Sequence, residues 1–119
     1  MKKTFFVLLA LCFALSSFSQ IGIGTTTPNS TLDVRGSLSS NYRSFTTGTT
    51  ATGTDNILVF TGASAATLTL PTALSITGRT YQIKNASLTS PTPTLTVATT
   101  LSQTIDALTS WTLNGLYQT

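Results

Sequence analysis

The chain has 119 residues, of which only 8% are charged: six Lys or Arg and three Asp, with no His and no Glu. Its one Cys is Cys12, near the N-terminus. The usual general bases, cysteine nucleophiles and His/Cys metal-ligand sets are therefore missing or marginal, and neither enzyme chemistry nor a cofactor or metal is expected.

Residues 1–20, "MKKTFFVLLALCFALSSFSQ", set Lys2 and Lys3 ahead of an apolar run from position 5 to 15, followed by Ser16, Ser17, Phe18 and Ser19. This order predicts a secretory signal peptide over 1–19, cleaved between Ser19 and Gln20. The run is shorter than the roughly 18 apolar residues of a spanning helix, so no membrane span is expected in the mature chain. Bulky Leu11 before Cys12 argues against lipidation. The protein is expected to be secreted or held at the cell surface. Cleavage leaves Arg35, Arg43, Arg79 and Lys84 against Asp33, Asp55 and Asp106, a net charge of +1. No basic cluster survives, so nucleic acid is not an expected partner. Cys12 leaves with the signal, and stability must come from packing, hydrogen bonding or association.

Residues 20–54 form a head and linker segment in this reading. Their large apolar residues are Ile21, Ile23, Leu32, Val34, Leu38, Tyr42 and Phe45, each worth at most about 1.5–3 kcal/mol if fully buried. Ordering the backbone costs on the order of 1–2 kcal/mol per residue, so the segment is not expected to fold alone. Gly22 and Gly24 permit close backbone approach or positive φ, Thr27-Pro28-Asn29 reads as a stiff turn, and Leu32-Asp33-Val34 as a short strand. The stretch "TTGTTATGTDN" is the most linker-like part.

Residues 55–119 read as a β domain. "ILVFT" is a short apolar run; "ATLTL" alternates Leu68 and Leu70 with Thr67 and Thr69; "TYQIK", "TLTVA" and "SWTL" alternate through Tyr81 and Ile83, Leu95 and Val97, and Trp111 and Leu113. Turn material separates them: Gly62-Ala63-Ser64, Pro71, Gly78-Arg79 and "NASLTSPTP". Helical periodicity is absent, and abundant Thr suits a half-exposed pleated surface. The fold class expected is all-β.

The head "IGIGTTTPNSTLDVRGSL" resembles the "GIGTTxPxxxLDVxGSL" segment of exported bacterial surface proteins and phage tail-fibre-like proteins. The stretch from "DNILVFTGASAATLTLP" through "GRTYQIKNAS", "TLTVATTLSQTID" and "WTLNGLYQT" is similar to a β-repeat of the same proteins. The resemblance implies a structural fibre subunit, tail-fibre or adhesin-like. It also implies short antiparallel strands in a β-prism or sandwich-like repeat, completed by homotrimerisation with Ile21, Ile23, Leu32 and Val34 near the axis. Where such repeats carry "TIDG" this chain has Thr104-Ile105-Asp106-Ala107, so the turn there is expected to be reshaped. Such repeats also continue past "YQT" to a further strand and an "SDGTNWY"-like ending, and the repeat is expected to be truncated at Thr119.

A second functional reading is a carbohydrate-binding module, with Trp111 and Tyr81 stacking on surface glycans. Set against it, both residues fit alternating strands as core or interface side chains. Asp55-Asn56 offers too few oxygens for Ca²⁺ and reads as a turn or strand start. Asp106 reads as a turn acceptor. Asn29-Ser30-Thr31 and Asn85-Ala86-Ser87 match the glycosylation pattern, as chance matches are expected to do in a Ser/Thr-rich chain.

Overall fold

A computed structural model describes residues 20–115, which carry nine strands in three sheets and one short 3-10 turn. The chain divides into two units, Met1–Ser39 and Ser40–Thr119.

In the first unit β1 (Ile21–Ile23) and β2 (Leu32–Val34) pair in parallel, with Ile21 beside Leu32 and Ile23 beside Val34. Two backbone bonds close the pair: Ile21 N–H donates to Thr31 O at 2.8 Å and Arg35 N–H to Ile23 O at 2.9 Å. Between the strands the chain must reverse and run back, and polar side chains shape that return. Asn29 N–H donates to Asp33 Oδ2 at 3.1 Å and the Ser30 hydroxyl to Leu32 O at 2.6 Å. Gly24 sits at a φ of +74°, and a Cβ there would lie 2.6 Å from Arg35 O, so only glycine serves. None of residues 20–39 is buried.

The second unit is a coil. β3 (Tyr42–Phe45), β5 (Ile57–Phe60) and β7 (Gln82–Asn85) form one sheet in the order β3-β5-β7. β4 (Thr49–Thr50), β6 (Ala66–Thr69), β8 (Leu95–Ala98) and β9 (Ser110–Leu113) form the other in the order β4-β6-β8-β9. The strands up to β8 alternate between the sheets, and each returns beside its predecessor in the same direction. Only β8 and β9 pair antiparallel. The expected antiparallel pairing is thus corrected: the sheets are mostly parallel. The turn segments between strands, Gly62-Ala63-Ser64 among them, carry the chain from one sheet to the other rather than back along the same one. The segment read as head and linker supplies β3 and β4, which pair with β5 and β6, and buries Phe45 and Ala51.

Parallel register stacks side chains into columns across each sheet. Arg43, Leu58 and Ile83 stand abreast, as do Phe45, Phe60 and Asn85. In the other sheet Leu68, Val97 and Trp111 stand abreast, as do Ala66, Leu95 and Leu113. The two sheets share one core of Phe45, Ala51, Leu58, Phe60, Leu68, Leu95, Val97 and Leu113. The rings of Phe45 and Phe60 pack at 5.5 Å between centroids, tilted by 45°. On the outer face Thr67, Thr96 and Thr112 line up, which accounts for the alternating threonines. The central strand β5 buries Leu58 and Phe60 in the core, and Val59 between them is buried as well.

Candidate functional site

Two surfaces gather the residues that the sequence singles out. The first is one face of the β1–β2 pair. Strand alternation puts Ile21 and Ile23 on the same side, and the parallel register sets Leu32 and Val34 next to them. Ile21, Ile23 and Leu32 are 61%, 55% and 57% exposed, while Val34 is half-buried. Ile21, Ile23 and Leu32 therefore make, with the half-buried Val34, an aliphatic face that is largely exposed among the described residues. Asp33, on the opposite side of β2, forms a loose ion pair with Arg35 at 3.6 Å.

The second surface is an open groove of about 360 Å³ in the second unit, lined by Leu70, Arg79, Tyr81, Ile83, Val97, Ile105, Trp111 and Leu113. It brings together Tyr81 and Trp111, the two aromatic candidates, from positions far apart in the chain. Tyr81 packs against the core and fixes its hydroxyl by donating to Thr52 O at 3.0 Å. Trp111 stands on edge strand β9, 48% exposed, next to Val97 in the column. Its side chain thus shares the groove lining and is about half open to solvent. The remaining walls are aliphatic, and Arg79 is the one charged residue in the lining.

Polar groups near the core have structural work of their own. Arg43 points inward from β3, where its Nε donates to Asp55 Oδ1 at 2.9 Å and its Nη2 to Asp55 Oδ2 at 2.7 Å. Thr52 adds two bonds to Asp55 Oδ2, from its N–H at 2.7 Å and its hydroxyl at 3.0 Å. The Arg43 bonds, opposed by burial and helped by Thr52, lower the Asp55 carboxyl from 3.8 to about 2. The same hydrogen bonds raise Arg43. Asp55, weighed in the sequence as a Ca²⁺ ligand, is occupied by a guanidinium and two threonine donors.

Asn85 is fully buried, and its Nδ2 donates to Pro93 O at 2.8 Å and Leu113 O at 3.0 Å. Ser87 is buried as well, its hydroxyl donating to Gly62 O at 2.7 Å. The Asn85-Ala86-Ser87 match is therefore a core clamp that ties β7 to β9, not an accessible glycan acceptor. Asp106 and Ala107 occupy a tight reversal at φ of +48° and +68°, closed by Ile105 N–H to Leu108 O at 2.7 Å and Leu108 N–H to Ile105 O at 2.8 Å.

Sequence reading missed the Arg43–Asp55 pair and the burial of Asn85. A signal for the first was present: one Arg and one Asp in an otherwise nearly uncharged stretch. For Asn85 no local signal existed, because its partners Pro93 and Leu113 reach it only through the fold. Compared with protein-family models, curated proteins and solved structures, the chain finds no match.

Proposed function

We propose that this chain is a secreted or surface-associated structural subunit, fibre-like, whose main role is homotrimeric assembly. The observation that carries this reading is the aliphatic face of Ile21, Ile23, Leu32 and Val34. One copy cannot bury it within its own unit, whereas three copies around an axis give it a shared core. Each side chain so buried contributes about 1.5–3 kcal/mol, multiplied by the copies that meet. The likeness of the head segment to tail-fibre and surface-protein heads supports the same reading. Light scattering on protein beginning at Gln20 tests it: a mass of three chains is expected, and a stable, folded monomer at micromolar concentration would refute it.

A second reading, compatible with the first, is recognition of surface glycans. The observation favouring it is that Trp111 and Tyr81 line one groove whose other walls are mostly aliphatic, with Trp111 half exposed, an arrangement suited to stacking against a sugar ring. A glycan array probed with the assembled protein tests it. Saturable binding lost in Trp111→Ala supports the module, and an array without hits removes it.

A further inference from the structure

Arg79 lines the groove, and among the described residues it has no counter-ion. Its backbone N–H donates to Ile76 O at 3.1 Å, but among the described residues its guanidinium makes no hydrogen bond and no ion pair. It stands beside the loop that anchors Tyr81: a Cβ on Gly53 would lie 3.8 Å from Arg79 Nη1, and the neighbouring Thr52 carbonyl receives the Tyr81 hydroxyl. The acidic group of that loop, Asp55, is already engaged by Arg43. One wall of the groove is thus an exposed indole, and at the same groove stands a planar cation with its five donors uncommitted.

We propose that the groove binds an acidic sugar, a uronate unit of a polysaccharide, with Arg79 taking the carboxylate and Trp111 the apolar face of the ring. The inference rests on the glycan reading and adds a charge requirement to it. A guanidinium matches a carboxylate in a bidentate, planar way that a neutral hydroxyl cannot reproduce. Neutral sugars would use the indole alone and leave the Arg79 donors to water. The groove's volume lies at the small end of the roughly 300–1,000 Å³ of ligand sites, which suits a single ring better than a long stretch of chain.

The chain contains one Trp, so its fluorescence reports on this site directly. The assembled protein from Gln20 onward is titrated with a galacturonate tetramer and with its carboxyl-reduced, neutral counterpart. The same pair is run on Arg79→Gln and Arg79→Lys, with circular dichroism to check the fold. Saturable quenching by the acidic tetramer is expected, weakened about tenfold or more in Arg79→Gln, less in Arg79→Lys, and reduced by added salt. Equal binding of the two tetramers, unchanged by Arg79→Gln, would overturn the charge requirement while leaving the glycan reading intact. Absence of quenching by either would overturn the inference, and the array would then decide the wider reading by itself.

Discussion

Arg43 and Asp55 form a two-pronged ion pair in which the carboxylate is buried and the guanidinium side chain is about one-third exposed. Besides Asp55, Arg43 reaches the Thr49 hydroxyl at 3.2 Å and the Thr50 carbonyl at 3.1 Å, so it ties β3 to β4 and to the loop that leads into β5. One pair therefore holds the first turn of the coil in shape, where apolar side chains are scarce.

This pair makes stability depend on acid. The Asp55 carboxyl is depressed to about 2 in the fold against an ordinary 3.8, so its contribution is complete above the unfolded value and is lost as pH falls through the folded one. Chemical denaturation followed from pH 6 down to pH 2 is expected to lose about 2 kcal/mol, most of it below about pH 4. Asp55→Asn strands the Arg43 charge and is expected to cost about 3 kcal/mol at neutral pH while flattening the acid dependence. An unchanged pH profile in Asp55→Asn would show that other groups set it.

Ala107 occupies a left-handed position, with φ of +68°, a region that favours glycine. A residue with a Cβ pays about 1–2 kcal/mol there, partly offset by the greater freedom glycine gives the unfolded chain. Ala107→Gly is expected to stabilise by about 0.5–1 kcal/mol, which is a rise of several degrees in the melting temperature of a small domain. A thermal scan checks it, and a fall in melting temperature would contradict the assigned turn.

Asn85 closes the Phe45–Phe60 column with a buried amide. Asn85→Leu keeps the volume but leaves the carbonyls of Pro93 and Leu113, and the N–H of Ser87, without the partners they have now. A loss of about 2–4 kcal/mol is expected by urea denaturation. Hydrogen exchange should show the loss of protection concentrated at β9, since the Leu113 bond ties it by hydrogen bonding to the opposite sheet.

Ile23→Asp places a charge in the middle of the aliphatic β1–β2 face. Because Ile23 is exposed within its own unit, the β-coil of the second unit is expected to keep its circular dichroism and melting behaviour in a monomeric form. On the proposed assembly, the mass by light scattering is expected to fall from three chains to one. A trimer surviving the substitution would move the assembly surface elsewhere.

Strand character was legible residue by residue, because the side-chain period of two is a local property of the chain. Leu68 against Thr67, Leu95 and Val97 against Thr96, and Leu113 against Thr112 all face as their alternation requires. Pairing direction is not local: the same alternation serves parallel and antiparallel neighbours, and only the crossing of each turn between sheets decided for parallel. β3 and β4 were hidden for a related reason, since Thr49 and Thr50 carry little apolar pattern and gain their strand state by pairing with β6. The four aliphatic residues of the head were readable from composition alone, but the parallel register that makes them one face came from the fold. Tertiary structure alone could bring Trp111 to Tyr81 and Arg79, and Asn85 to Leu113, because the contacts that define both sites join segments some thirty residues apart and leave no trace in either segment by itself.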